Sequence, residues 1–269
     1  MIAWALSIAA AGGAFAASVY GADAGYGWGA FFAVLAFVAC QIAVGLLVRR
    51  RVTAEMEKVQ GILVAGQKRL QQKMQRWQMR PPGSIQAAQR EIADDTAVFV
   101  KEALAQTAAL EKYRLWVPLM DRQIATARMQ LNWMVRDFAA VDRLMDKAIL
   151  ADPTLCCIKM ARLQMLDRPI DEIRKVYRKG VRRVRYNGNV LLAATMSWIE
   201  VRRGEVDAAF KTLTEALKKS DDETLKRNHE CLMNNRVPQF SNSGIGDAWY
   251  SLYLEEPRMR AQRQHVQIR

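Results

Sequence analysis

The sequence predicts an all-α chain, and three observations carry that expectation. Two apolar runs near the start, Ile2 to Tyr20 and Trp28 to Val48, are each close to the roughly 20 residues a helix needs to cross a bilayer core. Beyond them, apolar residues recur at spacings of three and four, the period of one helical face. Almost no segment alternates apolar and polar residues as a half-buried strand would.

Composition divides the chain at the same place. Residues 1–48 hold no Lys or Arg and one acid, Asp23, so all 40 basic residues and all but one of the 27 acidic ones follow. The two runs read as membrane spans joined by a short tip, "GADAGYG", whose glycines release the helix. Arg49, Arg50 and Arg51 come directly after the second run. Cations flanking a span stay on the cytoplasmic side, which puts 49–269 inside and these three arginines at the lipid surface. The expected setting is a multi-pass protein of a bacterial inner membrane. The competing reading is a secretory leader cleaved near Ala22-Asp23-Ala24; the missing basic n-region and the length of the first run speak against it. Cleavage there would leave the second span as an anchor.

Along the first run Ala5, Ala9, Gly13, Ala17 and Gly21 fall every fourth residue, a narrow stripe that lets another helix approach closely. The second span, with Ala36, Ala39 and Ala43, is the expected partner, and a different subunit is the alternative. Gln41 is the one amide inside the second span and calls for a buried contact. Cys40, Cys156, Cys157 and Cys231 show no spacing of a disulfide framework or metal site.

The segment 49–118 should supply a juxtamembrane stalk and a covering helix. From Arg49 to Arg80 an amphipathic helix carries Val52, Met56, Val59, Leu63, Leu70 and Trp77 on one face, with Gly66 and Lys73 as faults in the heptad. "GILVAGQK" is no phosphate loop, since Gln67 stands in the lysine's place and no strand precedes it. "PPGS" ends that helix and Ser84 caps the next, which should run to about Trp116 before Val117-Pro118 breaks it.

Residues 119–235 contain an internal repeat. Aligning Arg136–Pro153 with Gly204–Asp221 places Val141 over Ala209, Met145 over Leu213, Ala148 over Ala216 and Ile149 over Leu217. The offset is twice a 34-residue period, and Arg168–Arg185 supplies the unit between, with Ile173, Tyr177, Gly180 and Val181 in the matching slots. Over about 120–223 the chain resembles the tetratricopeptide repeat family, on Gly204-Glu205 for its turn, Ala209 and Ala216 for its close contacts, Ser197 for its small first-helix residue, and Ala148 with Pro153 in the first unit. Arg136, Val141 and Arg168-Pro169 depart from that pattern. The resemblance implies a helix-turn-helix solenoid, with 222–235 as a closing helix and 236–269 as a short helix, packing through Trp249, Tyr250 and Leu252, plus a basic tail. Two spans before such repeats are also similar in architecture to an inner-membrane family associated with heme biosynthesis, and no heme role is inferred from that.

No constellation for catalysis, cofactor or metal emerges: "NHEC" at 228–231 points its side chains in different directions on a helix. Binding is the expectation. By the resemblance, the inner face of the solenoid would be lined by Gln130, Trp133, Arg162, Met165, Trp198 and Arg202. Aromatics with guanidinium groups would suit an acidic or amphipathic protein segment. Membrane lipid is the other expected contact. A subunit role in a larger membrane complex is the rival class. Nucleic acid, suggested only by the cation-dense run Arg174–Tyr186, is the weakest alternative.

Overall fold

The computed structural model describes residues 2–21, 25–79, 83–183 and 189–256. The tip residues 22–24, the end of the basic run and the tail beyond 256 lie outside them. The described residues are helical throughout, with no strand among them. They form two compact units, 1–149 and 150–269.

In the first unit, α1 (Ile2–Ala16) continues as a π-helical turn over Ala17–Gly21 and packs antiparallel on α2 (Tyr26–Met79). Trp4 meets Phe37 edge to face at 5.9 Å, and at the other end Phe15 and Val19 close on the backbone of Gly29. Both helices are long and apolar enough to cross a membrane, with mean hydropathies of 1.7 and 2.6 over their most apolar stretches. The apolar part of α2 turns almost nothing inward: Phe31, Val34, Leu35, Ile42, Leu46 and Leu47 are all exposed.

The small-residue stripe does not make the α1–α2 contact. Ala5, Ala9, Gly13, Ala17 and Gly21 are exposed, and a Cβ at Gly13 or Gly21 would touch nothing. α1 buries Ser7 instead, whose hydroxyl donates to the Ala3 carbonyl, and the π turn buries Ser18, which donates to Phe15. These polar groups are satisfied within their own helix, so burying them costs little.

α2 runs 54 residues without a break. The expected span and the expected stalk are therefore one helix, about 80 Å long at 1.5 Å per residue. Its second half is held by α3 (Ile85–Thr107), which Ser84 caps by accepting from the Ala87 amide. The two heptad faults are the points of attachment. Gly66 lies under the ring of Phe99, where a Cβ would come within 3.0 Å of three ring carbons. Lys73 donates to Glu91 and Asp95, each at 2.5 Å, and its ammonium is held more basic than usual, chiefly by the Asp95 bond. The core between α2 and α3 is Val59, Phe99, Val100 and Ala103, with Leu131, from further along the chain, packed onto it.

α3 stops earlier than expected, at Thr107, and a 3-10 segment Ala108–Tyr113 follows. Arg128 from α4 (Met120–Met134) locks that change of pitch by donating to Thr107 and Glu111, both at 2.8 Å. α5 (Phe138–Met145) pairs with α4 and completes the unit.

The second unit contains α6 (Pro153–Met165), α7 (Ile170–Arg183), α8 (Asn189–Arg202), α9 (Val206–Leu217) and α10 (Glu223–Met233), then 3-10 turns and a one-turn helix α11 (Asp247–Tyr250). α8 is its axis: almost every residue from Leu192 to Glu200 is buried, with α6, α7, α9 and α11 around it. Gly180 lets α7 approach, since a Cβ there would meet Leu192 at 3.1 Å.

One local device recurs in both units. Arg136, Asp167, Gly204 and Asn235 end α4, α6, α8 and α10 in the left-handed region, with φ of 58°, 51°, 79° and 53°. After each, the next amide reaches back to a carbonyl in the last helical turn: Asp137 to Asn132, Arg168 to Leu163, Glu205 to Glu200 and Arg236 to Cys231. This is the Schellman closure. It places Arg136 and Gly204 in equivalent positions, as the alignment has them. In the middle unit the left-handed residue is Asp167, one position before the expected Arg168, and α7 buries Ile173, Val176 and Gly180, so Val176 fills the slot assigned to Tyr177.

Candidate functional site

The six residues expected on one face are divided between the units. In the first, Gln130 is exposed on α4, while Trp133 is 3% exposed and packs edge to face on Phe138 at 5.3 Å. Trp133 is core and is removed from the binding face; the α4–α5 turn folds Phe138 back over it. In the second, Arg162 and Met165 are half-buried at the end of α6.

Trp198 and Arg202 do come together, one turn apart on α8. The Arg202 guanidinium lies 5.0 Å from the Trp198 ring centre, a cation–π contact. A residue that sequence reasoning missed sits between them and α11. Glu255 accepts from Trp198 Nε1 at 2.7 Å through one oxygen and from Trp249 Nε1 at 2.9 Å through the other. Arg202 Nη2 stands 3.6 Å from the first oxygen. The two indoles meet at 5.8 Å and 63°, so both N–H groups aim at one carboxylate. Trp249 is fully buried and Trp198 nearly so, which fixes the donors before any carboxylate arrives. Fifty-seven residues separate Trp198 from Glu255, and no periodicity links them.

Beside this carboxylate opens a cavity of about 1300 Å³. Arg227, Val201, Val237, Phe240, Tyr250 and Leu254 line it together with the Trp198–Arg202 pair. The 237–246 loop that contributes part of this lining is held by a buried amide relay. Asn228 donates to Asn242 at 2.7 Å, and Asn242 donates to the Ala194 carbonyl at 2.9 Å, tying the 237–246 loop to α10 and α8. The lining mixes two guanidinium groups with apolar side chains, with the hydroxyls and amide of Ser241, Ser243 and Gln239, and with the carboxylates of Glu255 and Glu256; Glu255 already occupies both indole donors.

The remaining reactive side chains have structural surroundings. His229 stacks on Phe210 at 4.4 Å and lies 3.0 Å from the Thr214 hydroxyl. Burial pushes the Cys157 thiol far up, and Cys156 rises for the same reason. Among the described residues no cluster of His, Cys, Asp and Glu could hold a metal. Of the cation-dense run, Arg174 pairs with Glu205 and with Glu200 at 3.3 Å, and Arg183 donates to the Leu150 carbonyl. Glu200 is 3% exposed and also accepts from Thr212 at 2.8 Å; burial raises its carboxyl above the usual range against the pull of those bonds. Lys175, Arg178, Lys179 and Arg182 stay exposed.

Comparison with protein-family models, with curated proteins and with solved structures found no match to this chain.

Proposed function

We propose that the protein is a membrane-anchored scaffold, a binding protein and not an enzyme, which holds an acidic, partly apolar protein segment at the bacterial inner membrane. In this reading α1 and the first half of α2 cross the bilayer as a hairpin, and the paired helices beyond form a tetratricopeptide-like solenoid in the cytoplasm. Apolar exposure along both helices supports the anchor, because a soluble chain rarely leaves so continuous a surface uncovered. The recurrent Schellman turns support the repeat.

The observation that carries the binding role is Glu255, an internal carboxylate seated on the Trp198, Trp249 and Arg202 donors beside an open cavity. It stands in for the acid a partner would bring. Crosslinking in native membranes followed by pull-down tests this. Arg202→Glu with Arg227→Glu should remove a partner that wild type and Arg178→Glu both retain. An identical partner set for all three chains rejects the site.

A second reading, a subunit of a larger membrane complex, draws on the outward-facing stripe of Ala5, Ala9, Gly13, Ala17 and Gly21. A single monodisperse species after mild solubilisation would count against it.

A further inference from the structure

The first unit holds a second large cavity, about 1120 Å³, that the scaffold reading does not use. It lies where the apolar part of α2 gives way to the arginines. The α2 wall is one stripe, Gln41, Gly45, Val48 and Val52, at the i, i+4, i+7 and i+11 positions of a single helix face. Opposite stand Trp4 at the start of α1 and Trp116-Val117-Pro118 from the turn before α4. Its floor belongs to the core of Leu110, Tyr113, Met120 and Ile124, on which Val48, Val52, Met56 and Val117 pack.

Two features say what would fill it. Among the described residues Arg49 is the lining's single charged group and no carboxylate shares the lining, and Arg50 and Arg51 adjoin it in sequence. The nearest acid along α2, Glu55, is already taken by Lys58, Lys112 and Gln106. Two turns before Arg49, Gln41 also lines the cavity, and its amide nitrogen is buried with no hydrogen-bond partner among the described residues. In hydrocarbon an unpaired donor has no water to turn to. The ligand must therefore present an anion at the mouth, an acceptor further in, and apolar bulk around both.

We infer that this cavity is a binding site for one anionic glycerophospholipid of the surrounding membrane, with its phosphate on Arg49, an ester carbonyl on the Gln41 amide and its chains against Val44, Val48 and Trp4. Gln41 and Arg49 are two turns apart, about 12 Å along the axis. The stretch from phosphate to first ester, with a hydrogen bond at each end, is of that length. Trp4 and Trp116 suit the boundary, each with an apolar ring and one N–H for the headgroup zone. The inference rests on the membrane reading of α1 and α2, and its test separates the two.

The full chain, purified in mild detergent and stripped of loosely held lipid, is titrated with phosphatidylglycerol or phosphatidylcholine and followed by native mass spectrometry. One phosphatidylglycerol per chain should remain bound, resistant to excess inorganic phosphate, with phosphatidylcholine bound about tenfold or more weakly. Arg49→Gln should erase that preference. Gln41→Leu should weaken both lipids and keep the preference. Arg50→Gln with Arg51→Gln should leave the retained lipid in place. Equal retention of the two lipids, or an Arg49→Gln chain that still selects phosphatidylglycerol, overturns the site. Release from membranes by carbonate would instead overturn the membrane reading itself.

Discussion

Gly66 offers the sharpest test of how α3 is held. Gly61 and Gly66 both lie inside α2, and alanine at either gains about 0.8–1 kcal/mol of helix propensity. At Gly61 nothing lies within 4 Å of the new methyl, so Gly61→Ala should stabilise by that amount. At Gly66 the methyl would press on Phe99 near the root of its ring, under 3.0 Å from three carbons. Phe99 is 6% exposed and hemmed in by Val59, Val100 and Leu131, so the ring cannot retreat. Overpacking of this kind costs about 1–3 kcal/mol. Gly66→Ala should therefore fall below Gly61→Ala by about that amount, roughly 5- to 150-fold in the opening equilibrium of α3. Hydrogen exchange at the amides of residues 96–103, measured on the full chain in detergent, reads that equilibrium. Phe99→Leu added to Gly66→Ala should recover part of the loss. Equal gains in protection for the two alanine variants would refute the close approach.

Three further outcomes are expected. Glu255→Gln keeps one acceptor for the indoles but loses the charge facing Arg202, so the second unit should lose about 1–2 kcal/mol in chemical denaturation while a partner bearing an acid binds more tightly; tighter binding without the acid, or none at all, contradicts the stand-in role. Arg136→Gly should stabilise the first unit by about 0.5–1 kcal/mol, because glycine takes the left-handed cap without strain, and a loss read by hydrogen exchange along α4 would contradict the Schellman assignment. Glu200 has a folded pKa above the ordinary carboxylate value of 4.5, so its contribution to stability is fully present below that value and is lost as pH rises through the raised one. Wild type should thus gain on Glu200→Gln as pH is lowered from 7 toward 4.5 in urea titrations, and a difference between the two chains that does not change with pH would contradict the burial.

Much of the helical order was legible because it is local. The Ser84 cap, the pairing of Arg136 with Gly204 and the packing role of Trp249 follow from residue type and short spacing, whereas the end of α3 at Thr107, ahead of the expected break at Pro118, does not. The site was only half legible. Trp198 and Arg202 share a helix face by spacing alone, but Glu255 reaches them through a chain reversal that no periodicity encodes. Trp133 looked like a binding residue because a helical tryptophan reads the same whether it faces solvent or a neighbour; Phe138, across the α4–α5 turn, decides it. The heptad faults misled for a related reason. Gly66 and Lys73 break a self-pairing pattern because the partner is α3, which wants a gap for a ring and a cation for two acids.

The unbroken course of α2 has one more consequence, a matter of phase. Each residue turns a helix by about 100°, so inserting one between Val48 and Val59 would swing the apolar stretch a quarter turn or more against the Phe99 seat. Seven residues restore the angle to within about 20° while adding about 10 Å of reach. The distance from the apolar stretch to α3 can therefore be retuned only in strides of about two turns, and any other change in length throws one end or the other out of step.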